Sequence, residues 1–186
     1  MGCMPIWSGA VLAGGHSSRF GQDKALYPYR GRPLLAWVWE AMAEAEERFV
    51  VANRPYPGFT VYPDLRKGGD TLSGLHSALA HARCPWVAVA ACDQPFLTAE
   101  FWRFLLERVQ PHLQAVVIGL EGALEPLGAL YHKSLEAEAL RRLEGGLLRL
   151  QDLIQSVPHL VLDKREVEAR FGPRLFLNAN RQSDLP

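Results

Sequence analysis

Ser8-Gly9-Ala10-Val11-Leu12-Ala13 runs directly into Gly14-Gly15-His16-Ser17-Ser18-Arg19-Phe20-Gly21-Gln22-Asp23-Lys24. The first six residues are small or apolar and predict a buried strand, and the glycine pair that follows breaks it. Glycines at a strand end carry no Cβ, so backbone N–H groups there can approach phosphate oxygens closely. Arg19 and Lys24 add fixed positive charge beside that loop. The chain has four lysines (24, 67, 133 and 164), so a compact ammonium at position 24 suits a phosphate-seeking role. A plain strand–turn with solvated charges is the competing reading. The spacing is neither G-x-G-x-x-G nor G-x-x-x-x-G-K-[ST], which disfavours a nicotinamide dehydrogenase and a Walker-type site.

Outward from this stretch, short apolar runs alternate with longer segments of helical period. That alternation predicts one α/β domain over 1–186, with a mostly parallel sheet flanked by helices. Strands are expected at 48–52, 60–62, 86–91, 115–119, 127–131, 159–162 and 175–177. Pro33 opens an amphipathic helix through Ala41, and Thr71 or Ser73 is expected to cap another through Ala82. Thr98 is expected to cap a helix to Val109 that turns Phe101, Phe104, Leu105 and Val109 inward. Further helices are expected at 134–143 and 147–155.

Lys+Arg and Asp+Glu balance at 20 each, so the chain lacks the surplus positive charge by which duplex binders neutralise phosphates. Cys3, Cys84 and Cys92 show no C-x-x-C spacing and read as reduced thiols. The six histidines are scattered, with His76 and His81 five apart, and suggest no zinc site. Residues 7–13 are too short to span a bilayer and no basic region precedes them, so the expected location is cytoplasmic.

The pattern L-A-G-G-x-S-x-R-F-G-x-D-K-x-L over residues 12–26 resembles the signature loop of the molybdenum cofactor guanylyltransferase family. Later stretches follow the family's order. Val50-Val51-Ala52-Asn53-Arg54 is similar to its second strand, and Val61-Tyr62-Pro63-Asp64 to its third. Cys92-Asp93-Gln94-Pro95 resembles its metal-binding Asp turn. Pro126 to Tyr131 resembles the strand facing the acceptor, and Asn178-Ala179-Asn180 its C-terminal N-x-N.

The resemblance implies a Rossmann-like nucleotidyltransferase fold, nucleotide-binding in its N-terminal half and acceptor-binding in its C-terminal half. GMP would pass from GTP to the terminal phosphate of molybdenum-molybdopterin, with Mg²⁺ as cofactor. Lys24, Arg19 and Asp93 would be catalytic and Asp93 would hold the metal. Leu12, Ala13, Gly14, Gly15, Lys24, Asn53, Asp64, Gly74 and Asp93 would contact the nucleotide, and Asn178 and Asn180 the acceptor. Arg66, Lys67 and Arg149 could also reach an anionic acceptor. Asp93 has independent support, because it follows an apolar strand just where open parallel sheets place their ligands. It also reads as a helix-entry Asp, Asp64 as a surface turn and Asn53 as a strand end.

Three departures bear on the acceptor and base regions. The family's Gly-Pro-Leu-x-Gly is Asp70-Thr71-Leu72-Ser73-Gly74 here, its N-x-N-T-P continues as Arg181-Gln182, and Gly128 replaces a bulky residue. Two rivals stay open at this point. One is a cytidylyltransferase acting on the pterin or on a sugar or isoprenoid phosphate. The other is a non-catalytic nucleotide-binding or cofactor-delivery module that meets other cofactor-synthesis proteins or apo-molybdoenzymes, docking near Trp39 or Trp102.

Overall fold

Every side chain of Trp7–Leu12 (β1) is buried, as a central strand covered on both faces requires. A computed structural model of the chain describes residues 4–14, 23–179 and 185–186. Two short strands, β2 (Pro28–Tyr29) and β3 (Arg32–Pro33), form a separate hairpin. The remaining strands are β4 (Glu47–Val51), β5 (Val61–Tyr62), β6 (Trp86–Ala91), β7 (Ala115–Leu120), β8 (Ala123–His132) and β9 (His159–Asp163). With β1 they make one seven-stranded sheet in the order β5-β4-β1-β6-β8-β7-β9. β8 runs antiparallel to both of its neighbours, whereas the β1–β4, β1–β6, β4–β5 and β7–β9 pairs are parallel. The mostly parallel α/β sheet expected from the sequence is what forms.

Side-chain alternation divides the interior into two cores. Val11 faces one side, where Leu35 and Val38 of α1 (Leu34–Ala41) pack. Ala10 and Leu12 face the other, against Leu72, Leu75 and Leu79 of α2 (Asp70–His81). Phe101, Trp102 and Leu105 of α3 (Ala99–Leu106) complete the first core. Ala139 of α4 (Glu136–Glu144), with Leu153 and Ile154 of α5 (Leu150–Gln155), completes the second. Each fully buried aliphatic side chain stabilises the fold by roughly 1.5–3 kcal/mol.

Several expectations need correction. Residues 175–177 form no strand: Leu175 and Leu177 donate to the carbonyls of Gly172 and Arg174 in successive turns, which bury Leu175 and Phe176 in the first core. An apolar triplet fits either conformation. Helix α6 (Lys164–Phe171) was not expected, since only Val167 is buried among its charged residues; Asp163 caps it by accepting from Arg165 N at 2.8 Å. Helix α2 starts at Asp70 rather than being capped by Thr71 or Ser73. Ser73 Oγ instead accepts from Gly69 N at 2.8 Å within the first turn. Helix α3 stops at Leu106 because Arg108 and Val109 donate to carbonyls three residues back. Trp102 offers no docking surface: it is fully buried, 6.3 Å from Trp7. Trp39 is half-buried, edge-on to Phe59 and under the Arg48 guanidinium. Among the described residues no helix is long and apolar enough to cross a membrane.

Candidate active site

The parallel strands β1, β4 and β6 end side by side, and their last residues, Leu12, Val51 and Ala91, line a cleft of about 560 Å³. This is where an open parallel sheet places its ligands. Leu12, Ala13, Gly14, Lys24, Asn53, Asp64, Gly74 and Asp93, separate in sequence, all line this one cleft. Gly15, Arg19 and Asn180 lie outside the described residues.

On one side of the cleft Lys24 Nζ stands 3.3 Å from Asp93 Oδ2, both side chains about one-fifth exposed. Lys24 opens a single 3₁₀ turn, Lys24–Leu26, which Asp23 caps by accepting from Ala25 N at 3.1 Å. Asp93 is the second residue of the loop after β6. Gln94, buried, fixes that loop: its Oε1 accepts from Ala91 N at 2.9 Å, and its Nε2 donates to Leu127 O at 3.3 Å. The Asp93 carbonyl accepts from Ala179 N at 2.8 Å, which brings the C-terminal segment to the cleft edge.

On the other side Asn53 and Asp64 hold each other. Asn53 Nδ2 donates to Asp64 Oδ2 and Asp64 N donates to Asn53 Oδ1, each at 3.0 Å. This reciprocal pair joins the ends of β4 and β5, so neither residue is an isolated turn residue. Between the two sides, a Cβ on Gly14 would lie 3.9 Å from Asp64 Oδ2, and one on Gly74 would press on the Leu12 side chain at 3.0 Å. Leu12 and Gly74 therefore form wall. Ala13 N donates to Val51 O at 3.0 Å, so that amide is taken up by the sheet rather than offered to a ligand.

Asn178 is exposed and does not line the cleft, and it follows the turns at 172–177 rather than the strand expected there. Lys67 reaches the cleft; Arg66 lines a smaller neighbouring depression, and Arg149 stands 3.7 Å from Asp152. Sequence reasoning assigned no role to Asp23, which lies inside the signature loop and lines the cleft. It gave no role to Arg54, quoted only as part of the second-strand stretch, and passed over Tyr56; both bind Asp23. Burial, with the Asp93 charge second, pushes the Cys92 thiol up to about 12, so it stays protonated and is no nucleophile.

Residues 9–160 match the family model described as the MobA-like NTP transferase domain, well over half of the chain. The chain belongs to this family. A probable molybdenum cofactor guanylyltransferase of Deinococcus radiodurans is 39% identical over 180 residues, spanning 95% of this chain and 90% of that one. A protein of the same name from Bacillus cereus (strain ATCC 10987) is 28% identical over 191 residues, covering 97% and 94%. The crystal structure of molybdopterin-guanine dinucleotide biosynthesis protein A from Archaeoglobus fulgidus superposes with a TM-score of 0.81 at 25% identity, covering 95% and 94%. This MobA-like NTP transferase is therefore a nucleotidyltransferase, which sets aside the non-catalytic module.

The chemistry of its cleft can be tested against a divalent cation. The described residues that line it include four carboxylates (Asp23, Asp64, Asp70, Asp93) and two ammoniums (Lys24, Lys67). An acidic cleft repels a polyphosphate unless a cation enters with it. Among the described residues no group of three or more His, Cys, Asp or Glu could hold a metal by itself. One carboxylate beside space for phosphate oxygens suits Mg²⁺, which keeps several waters and binds through few protein ligands. The residues fit a cation shared with the substrate.

Proposed function

We propose that this chain transfers GMP from GTP to the terminal phosphate of molybdenum-molybdopterin, forming the guanine dinucleotide and releasing pyrophosphate. One observation carries the reading: the fold brings Lys24 and Asp93 to 3.3 Å at the strand ends, in a cleft whose opposite wall is the Asn53–Asp64 pair. One side suits phosphates and the other suits a base or ribose. The names of the relatives support the acceptor and the base.

The acceptor phosphate has a second pKa near ~6 and is mostly a dianion at neutral pH. Its oxygen attacks the α-phosphorus, the bond from that phosphorus to the bridging oxygen breaks, and pyrophosphate leaves with the electron pair. No proton has to be removed, so no general base is needed. The protein has to align two polyanions and offset their repulsion. Lys24, with Arg19, neutralises the α-phosphate and the departing pyrophosphate. Asp64, oriented by Asn53, accepts from guanine or ribose donors. Mg²⁺ held by Asp93 would supply further charge neutralisation on the triphosphate.

Apart from Leu127, every cleft-lining residue among those described lies between 12 and 93, so we assign the nucleotide to the N-terminal half. The acceptor falls to the C-terminal half, including Asn178 and Asn180, and a cytoplasmic location goes with this reading. The test is pyrophosphate release with GTP, CTP and the other triphosphates, with Mg²⁺ and molybdenum-molybdopterin present. GTP should be preferred and the product should gain the mass of GMP. Equal rates with CTP, or no release without added enzymes, would overturn the assignment.

A further inference from the structure

Asp23 is a cleft-lining residue tied to the protein core. Tyr56, only 2% exposed, donates its phenol O–H to both Asp23 oxygens, at 2.9 and 3.2 Å. Arg54 Nη1 donates to the same carboxylate at 3.0 Å. Burial, then the neighbouring Asp23 carboxylate, push the Tyr56 phenol up from its ordinary value, so it remains a donor throughout the working range. Asp23 Oδ1 also caps the turn that begins with Lys24, and the next residue, Ala25, is buried in the first core.

A lysine ammonium sits on a flexible four-carbon stem, so the position of Lys24 depends on the backbone beneath it as well as on Asp93. Here that backbone is pinned on one side by Ala25 and on the other by a carboxylate with three side-chain contacts. Arg54 and Tyr56 belong to the same short segment as Asn53, whose amide holds Asp64 across the cleft. Four consecutive residues, Asn53 to Tyr56, thus grip both walls.

We infer that Asp23, clamped by Tyr56 and Arg54, positions Lys24 for the reaction, and that the 53–56 segment sets the distance from Lys24 to the Asn53–Asp64 wall. These are positioning residues that act through Lys24. The inference rests on the nucleotidyl-transfer reading above for its kinetic part, and on geometry alone for the rest.

The experiment uses the full chain with Tyr56→Phe, which keeps the ring volume, and Asp23→Asn, which keeps the shape. The control is Asp163→Ala, which removes the cap of α6 far along the chain. Both clamp variants should lower kcat about ten- to a hundredfold, with the KM for GTP within about threefold. The control should lower Tm comparably while kcat stays at the wild-type level. With ¹³C-labelled lysine the four side chains give four signals, and Lys24→Arg assigns the one of interest. That signal should move towards that of the exposed Lys67 in both clamp variants.

Wild-type kcat within twofold in both variants overturns the inference, and so does a rise in KM alone. A control that loses kcat as they do makes the effect one of stability and also overturns it. A wild-type chain that releases no pyrophosphate defeats the functional reading, and the lysine signal then decides the clamp: unmoved, it too is wrong.

Discussion

Replacing Asp93 by Asn should strengthen metal-free nucleotide binding and nearly abolish turnover. The carboxylate stands 3.3 Å from the Lys24 ammonium, and at an effective dielectric near ~20 the pair attracts by about 5 kcal/mol before desolvation. A triphosphate arriving without a cation must compete with Asp93 for that ammonium and also meets the carboxylate's repulsion. With a phosphate oxygen about 5 Å away in partly solvated surroundings, the repulsion alone is roughly 1–2 kcal/mol. Removing it should raise GTP affinity in EDTA about five- to thirtyfold by titration calorimetry. Mg²⁺ should then add little to binding, where in the wild type it adds much. Turnover with Mg²⁺ should fall about a hundredfold or more, as when one preorganised charge is removed from a transition state. A folded Asp93→Asn chain that binds GTP more weakly in EDTA, or turns over at the wild-type rate, would refute the reasoning.

Three further perturbations have defined outcomes. Gly14→Ala adds a methyl 3.9 Å from Asp64 Oδ2, an ordinary contact, so Tm should hold; GTP binding should weaken about three- to tenfold by calorimetry and CTP binding less. Gly128 has φ +78° and lies beside Gln94, with a Cβ falling 3.4 Å from Nε2. Gly128→Ala should cost roughly 1–2 kcal/mol by denaturant unfolding and should also lower kcat by loosening the Asp93 loop. Glu47 accepts from Ser8 Oγ at 2.7 Å and from Arg83 Nε at 3.1 Å. Burial raises its pKa, but these bonds outweigh it and hold the carboxyl below its ordinary value. Its contribution is therefore complete above pH ~4.5 and is lost as pH falls through the lower folded value. Glu47→Gln should destabilise the chain at pH 7 and flatten its acid limb in urea melts taken from pH 7 to 3.

Strand ends and the residues standing on them were largely legible in the sequence, because apolar runs between breakers are a local signal. Trp86 to Ala91 forms the strand expected, and Asp93 stands just beyond it. Partnerships across the sheet were not legible. Nothing local to Lys24 points 69 residues on to Asp93, and nothing around Tyr56 announces that its hydroxyl reaches Asp23. The Glu121-Gly122 turn, at φ +52° and +86°, folds β7 back onto β8 and is a hairpin signal that was available. Helix α6 was hidden by charge, since one buried Val167 in eight residues leaves no apolar stripe to read. The turns at 172–177 passed for a strand because burial of Leu175 and Phe176, rather than sheet pairing, accounts for their apolar character.

The most direct test is a crystal structure of the chain with GTP and Mg²⁺. The phosphates should lie beside Lys24 and Asp93, with the cation on Asp93 and the guanine or its ribose against Asp64. A triphosphate bound outside this cleft, or one reversed so that its base lies at Lys24, would contradict this placement.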